Sequence, residues 1–489
     1  MKMTDAPGKS PDRSGDVPRA GVYWQGGDER WQPRDLVPLT TTEHADVCVV
    51  GGGFTGLWTA LSIKRLSPDT DVVLIEREYC GAGASGRNGG WVNGWDDALP
   101  KLVSRFGRDT ALWLLDATRR GVDDIRDTVR EGGIDCDLAF EGGLTVAASP
   151  AQVEAVGESA AVGHELGRDD LFRILSKAEA QAMWGCPAAE AGALILHAGS
   201  VQPALLAQGL RRLAIEAGVR VYEATPMLAV DRTLPAVVKT PSGAVVADKV
   251  VLAAGAWMAL VPELRRTIFI IPSHVVATAP SAEHLDRLGW VKGRPSSDGR
   301  TAVHYAQRTG DDRAVFGRGG GRLGFGGRVI PAHYHDRRET ESIVADMHAL
   351  LPATRDLAVE WRWGGPVERT QHGLPWVGTL GQHANVHYGV GYSGNGVAPS
   401  NLIGRTLASV ALGLRDEYGL SPLVSEPPTY LPPEPFRSLG ARAVRSAIEH
   451  CEIVEDAGRR PDPVSRLVRR GLDFSMPKGP TLRRPKHPD

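Results

Sequence analysis

Residues 45–93 read ADVCVVGGGFTGLWTALSIKRLSPDTDVVLIEREYCGAGASGRNGGWVN, and this stretch decides the fold. Positions 47–50 are an uninterrupted apolar run, the pattern of a parallel strand buried on both faces. The run meets Gly51-x-Gly53-x-x-Gly56, after which Leu57, Ala60 and Leu61 recur at helical spacing. Ser67-Pro68-Asp69 stops that helix, and 72–75 form a second apolar strand ending in Glu76. The first glycine permits a tight turn, the second lets a diphosphate approach the backbone, and the third lets helix pack on strand. The helix start, with Phe54 and Thr55 in its first turn, offers unpaired N–H groups and partial positive charge to an anion. Glu76, with Arg77 beside it, lies 20 residues beyond Gly56 (76 − 56), about the ~20 expected of a carboxylate that binds a ribose hydroxyl. The glycines alone would say little in a chain of 58 Gly. Strand, glycines, helix, strand and acid in this order point to a dinucleotide site.

The next ten residues, GAGASGRNGG at 81–90, cannot hold a helix or a regular strand. Their open N–H groups, with Ser85, Gly86, Arg87, Asn88, Gly89 and Gly90, suit a second wrap around a phosphate-bearing ligand. Beyond them the chain alternates. Helices are expected at 112–130, 152–166, 177–184 and from Gln202 to Gly218, and strands at 142–148, 193–196 and 219–222. A hairpin is expected from 237–240 and 244–246, followed by a separate apolar strand in KVVLAAG, 249–255. Residues 267–350 mix strands (268–271, 302–305, 313–316) with glycine turns and a helix at 339–350, which makes them a candidate second sheet over the ligand. WRWGGPVERTQHGLPWVG, 361–378, returns to the first domain, and HYGVGYSGNGVAPS, 387–400, leads into a helix at 401–412.

This pattern sets the expected architecture: α/β plus α+β, a Rossmann-like dinucleotide domain interleaved with an antiparallel-sheet substrate domain. The segments are a disordered arm at 1–21, a nucleotide domain from 22–135, 200–266 and 360–415, and a substrate domain from 136–199 and 267–359. A Pro-rich C-terminal extension at 416–489 carries a short helix near 441–451. Charge is balanced, 56 Lys+Arg against 58 Asp+Glu for a net −2, which argues against a nucleic-acid surface. The 5 Cys are scattered without a CxxC pair, which argues against a disulfide framework or a thiolate metal site, so no metal is expected. No run approaches the roughly eighteen apolar residues of a transmembrane segment, and the N-terminus lacks a signal-peptide core. A cytoplasmic location is the expectation; the oligomeric state is unknown from sequence.

The combination GRNGG, LAAGAW, WGGPVERTQHGLP and GYSGNGV resembles the family of FAD-dependent amine and amino-acid oxidoreductases, which includes glycine oxidase, sarcosine oxidase and D-amino-acid dehydrogenases. The resemblance runs from about Trp24 to Gly413, and the tail is similar to that of a subgroup with γ-glutamylputrescine oxidase-like proteins and aminophosphonate oxidoreductases. It implies FAD. Gly51, Gly53 and Gly56 would hold the diphosphate, Glu76 the adenosine ribose, and 85–90 the path from diphosphate to flavin. Met227 would meet adenine, Ala254 and Gly255 would line the nucleotide, and Tyr392, Gly394, Asn395, Gly396 and Val397 would approach the pyrimidine edge of the flavin. A helix start there favours the charge of a reduced flavin.

Two departures shape the expectations. Some members tether FAD through a cysteine in the segment corresponding to 361–378 and others through a histidine where this chain has Arg87; neither is present, so FAD is expected to be non-covalent. The arginine that binds a substrate carboxylate in glycine oxidase-like members falls at Val367, with Arg369 two residues on. The implied reaction moves a hydride from a carbon bearing an amine to flavin N5, giving an imine that water hydrolyses, with oxygen or an electron carrier as acceptor. The substrate is a small amine, amino acid or aminophosphonate. Candidate pocket residues are Trp91 and Tyr392 flanking the amine, Arg308, Arg328 and Arg369 for an anionic tail, and His304, Tyr305 and His372 for protonation. A flavin 2-hydroxy-acid oxidase or a non-catalytic flavin-binding protein would share the cofactor motifs.

Overall fold

The structure is a computed structural model that describes residues 18–32, 35–425 and 430–469. Two sheets organise it. The first has eight strands and is built around Ala244–Leu252. Thr42–Val50 pairs parallel along its whole length, from Ala244 opposite Thr42 to Leu252 opposite Val50. Val72–Ile75 and then Arg220–Tyr222 add in parallel on that side, and Val386–Val390 pairs parallel on the other. Five strands therefore end at one edge, where Gly51, Glu76, Glu223, Ala253 and Gly391 follow them. That edge is where open α/β sheets bind ligands. The runs 47–50 and 72–75 are wholly buried, because helices pack on one face and the 255–260 turn with its apolar neighbours on the other.

The second sheet has nine strands, mostly antiparallel, and it covers the ligand edge. Its longest members, Phe269–Thr278 and Val359–Arg369, pair from Phe269 opposite Arg369 to Thr278 opposite Val359. Gly143–Ala147, Ala191–Ile195 and Phe172–Leu175 extend the far side. A two-stranded ribbon, Trp91–Asn93 with Ala198–Ser200, stands apart from both sheets.

Several expectations change. The hairpin strand at 244–246 and the strand at 249–255 are one element, Ala244–Leu252, whose first half pairs with Ala236–Lys239 and whose second half pairs with Val386–Val390. Its polar Asp248-Lys249 pair, which reads as a break, falls where the partner changes. Residues 359–369 belong to the covering sheet rather than to the nucleotide segment, because all of that strand hydrogen-bonds to Phe269–Thr278; the eight-stranded sheet resumes at Trp376–Leu380. The loop at 81–90 holds a three-residue 3-10 turn, Ala84–Gly86. Within the expected arm, Arg19–Ala20 is an edge strand beside Trp361 and Arg362; residues 1–17 lie outside the described residues. The short C-terminal helix runs the full length Phe436–Asp456, and a second follows at Pro463–Arg469. Pro427, Pro428 and the basic tail fall outside the described residues. Among those described, no helix is long and apolar enough to cross a membrane.

Candidate active site

The glycine turn behaves as its spacing requires. Gly51 has φ +113°, and a β-carbon on Gly56 would sit 1.9 Å from the Gly51 carbonyl oxygen, so helix Phe54–Leu66 approaches the strand at backbone distance. Gly53 caps that helix without a side-chain bond, while the Phe54 amide donates to Ser85 Oγ at 2.9 Å. Ser85 thus ties the second loop to the helix start. Glu76 accepts from the amides of Gly52 (2.7 Å) and Glu78 (2.9 Å); burial raises its pKa against those bonds. Arg77 turns aside and stacks over Trp257 with its guanidinium 4.0 Å from the ring centre. Met227 and Ala254 pack at the margin of the second apolar core.

The second loop is held mostly by itself. Arg87 Nε donates to the Ala82 carbonyl at 2.8 Å and its guanidinium lies over Tyr334. Asn88 donates to Ser85 and Ala84 carbonyls and accepts from the Gly90 amide. Three side chains absent from the sequence-derived set complete the clamp. The indole N–H of Trp24 donates to the Asn88 carbonyl and that of Trp363 to the Arg87 carbonyl, both at 2.9 Å, while Gln307 Nε2 donates to the Gly89 carbonyl at 2.8 Å. The two tryptophans stood in the sequence only as aromatics that need packing, and Gln307 gave no signal. Tyr305 lies flat against Gly89, where a β-carbon would come within 2.6 Å of its ring, and its hydroxyl bonds Ser273 Oγ at 2.7 Å. Burial pushes that phenol up to about 12, so it stays protonated.

The third loop closes the edge from 337 residues away. Tyr392 OH meets Thr55 Oγ1 at 2.6 Å, and the Asn395 amide nitrogen donates to the Gly94 carbonyl at 3.2 Å. A β-carbon on Gly394 would meet nothing within 4 Å, so this turn faces open space, and Gly396 and Val397 lead into helix Pro399–Ala411. Trp91 is half-buried and its indole N–H has no partner among the described residues.

The candidate substrate residues divide. Arg369 is on the covering strand two residues from Val367, and positions i and i+2 of a strand share a face. Arg369 and Val367 therefore share one face of that strand. Its guanidinium has no ion pair among the described residues, and burial lowers its pKa. Arg308 is not available: Asp286, Asp312 and the Trp290 carbonyl occupy its guanidinium at 2.5–2.8 Å. Arg328 is exposed after the 325–327 turn. His304 sits in the core between Asp298 (2.7 Å) and Asp346 (3.3 Å), against Phe316; burial opposes its proton, but the carboxylates raise its pKa overall. His372 is buried, and burial, then Arg105 and Lys101, push it down to about 3; its Nδ1 accepts from the Leu374 amide. It is a neutral turn-holding acceptor, not a proton shuttle.

With the geometry in place, comparison with known proteins decides the family. The FAD dependent oxidoreductase (DAO) family matches residues 46–410. This chain belongs to that family. The γ-glutamylputrescine oxidoreductase of Escherichia coli K12 is 32% identical over 397 residues, 80% of this chain and 88% of that protein. Glycine oxidase of Geobacillus kaustophilus is 24% identical over 393 residues, 78% of this chain and 96% of that one. The crystal structure of that glycine oxidase matches with a TM-score of 0.63 at 22% identity, covering 78% and 98% of the two chains, and L-proline dehydrogenase from P. horikoshii with 0.61. These structural matches show the shared fold.

The residues of this FAD-dependent oxidoreductase fit the cofactor on grounds of their own. Gly51, Gly53 and Gly394 open backbone at the carboxyl edge of parallel strands, and Glu76 has acceptor capacity beyond its two backbone bonds.

Proposed function

We propose that this enzyme oxidises the C–N bond of a small amine carrying an anionic group, with FAD bound non-covalently. When bound, FAD would supply the redox chemistry, a two-electron oxidation of the amine-bearing carbon whose imine product would hydrolyse in water. The chain supplies position. Gly51, Gly53, Gly56 and Glu76 hold the nucleotide end, the 85–90 loop carries the cofactor inward, and Tyr392 to Val397 bring a helix start to its far end. The observation that carries the substrate assignment is Arg369: a half-buried guanidinium with no ion pair among the described residues, on the strand that carries Trp363 and Glu368, can take an anion from outside. Trp91 adds an unpaired donor on an aromatic wall. Tyr305 shapes the floor of the loop and stays neutral. The five cysteines, all free and buried, accord with a reducing cytoplasm.

Anaerobic mixing with a panel of amines, amino acids, aminophosphonates and 2-hydroxy acids tests this reading. Bleaching of the oxidised flavin band by an amine or aminophosphonate is expected. Bleaching by hydroxy acids alone would make the protein a hydroxy-acid oxidase, and bleaching by none would leave a flavin-binding protein. Acid precipitation should release the yellow colour to the supernatant.

A further inference from the structure

Glu368 is the buried acid that no part of this scheme uses. It is 5% exposed, and no side chain among the described residues donates to its carboxylate, which is served only by its own backbone amide and that of Gly391. Its position is unusual. One carboxylate oxygen is 3.6 Å from where a β-carbon of Gly255 would lie, its carbonyl accepts from the Ser393 amide at 3.1 Å, and the intervening Tyr392 bonds Thr55 of the glycine-turn helix. The acid thus stands where three cofactor loops converge, on the opposite strand face from Val367 and Arg369. Leaving a carboxylate so placed without a cation is costly unless it holds a proton or another group relieves it.

We propose that Glu368 is a proton-holding group coupled to the redox state of the bound cofactor, taking up a proton from solvent when the enzyme is reduced. This rests on the FAD reading above. The balance is simple. In the alkaline range two electrons from the substrate C–N bond reach the cofactor with one proton and leave it one charge more negative. The Glu368 carboxylate takes a second proton to become the neutral acid. A new negative charge in a dry site disfavours a second one beside it, so reduction strengthens proton binding at Glu368.

The surroundings favour this behaviour. Burial pushes the carboxyl up to about 7, against its two backbone bonds. Facing it, Phe269–Thr278 contributes Ile270 in register, the 255–260 turn contributes no acid or base, and the third loop contributes the Tyr392 phenol, itself driven upward by burial. On its own strand Arg369 is the neighbouring cation, directed to the other face. Above pH 7 the oxidised enzyme therefore carries the carboxylate, and the reduced enzyme the acid.

The test is the midpoint potential of the holoenzyme, measured by dye equilibration between pH 7.5 and 9. Each proton coupled to a two-electron change contributes about 30 mV per pH unit, the tenfold step of such a couple. The wild type is expected to fall by about 59 mV per unit, Glu368→Gln by about 30 mV, and Glu368→Asp to recover the steeper slope. A slope of about 30 mV in the wild type, or of about 59 mV in Glu368→Gln, overturns the inference. Should Glu368→Gln not accumulate, the wild type and Glu368→Asp decide it. A chain that takes up no FAD overturns the proposed function and this inference together, whereas one that takes it up and gives the one-proton slope overturns this inference alone.

Discussion

Replacing Gly404 with alanine tests whether the third loop depends on helix packing beneath it. Gly404 lies in helix Pro399–Ala411, and a β-carbon there would come 2.6 Å from Trp58 Cβ and 2.9 Å from the Thr59 amide nitrogen. Both belong to the helix that starts at the glycine turn, and Trp58 is wholly buried. Ordinary contact begins at 3.4 Å, so the helices must part by about 0.8 Å, or the Trp58 backbone must yield. Overpacking of this kind costs about 1–3 kcal/mol, and about 2 kcal/mol is roughly thirtyfold in the folding equilibrium. Because Tyr392 and Thr55 bond across the two helix starts, the displacement also loosens the loop over the cofactor. Equilibrium denaturation and an FAD titration followed by fluorescence quenching measure the two effects. Gly157→Ala is the internal control: it lies inside helix Val153–Glu165, a β-carbon there meets nothing within 4 Å, and it should stabilise by about 0.5–1 kcal/mol. Gly404→Ala with wild-type stability and wild-type FAD affinity would refute the argument.

Arg369→Ala should raise KM for an anionic amine at least tenfold with a smaller change in kcat, whereas Arg308→Ala should lower the denaturation midpoint and leave KM alone; steady-state kinetics separate the pair. Arg211→Met strands the Glu223 carboxylate, 2% exposed and otherwise met by the Cys80 amide and thiol. Removing one partner of such a pair costs about 3–5 kcal/mol, read by urea denaturation at neutral pH. His387 is buried, and burial, then Lys249, push its pKa down to about 4. The folded state therefore resists protonation that the unfolded chain accepts, so stability holds above about pH 6.5 and falls as the pH drops toward 4. The deficit is about 3 kcal/mol at pH 4. His387→Gln should flatten that part of the stability–pH curve, and a curve unchanged in slope would contradict the assignment.

The glycine turn and its strand–helix–strand unit were legible because their constraints are local. Gly51, Gly53, Gly56 and Glu76 follow one another within a single strand–helix–strand unit, and their spacing is the geometry. The covering sheet was legible only in outline, since its strands find partners far along the chain: nothing around 359–369 announces Phe269–Thr278 as its neighbour. The same distance hid the fate of single residues. Arg308 and His304 look like free functional groups until Asp286, Asp312, Asp298 and Asp346 arrive from other segments. Trp24, Trp363 and Gln307 act through single backbone contacts that leave no pattern in sequence. Glu368 was passed over because one acid in a polar-looking stretch gives no hint of burial.

The hydrogen bond between Thr55 and Tyr392 spans 337 positions of chain. On a ribosome working at about 5–20 residues per second, Tyr392 is made roughly 17–70 s after Thr55. Throughout that interval the glycine turn can form with its helix, but the Tyr392 loop that bonds to that helix does not yet exist. The glycine turn is thus complete early in synthesis, and the loop that Tyr392 ties to its helix comes last.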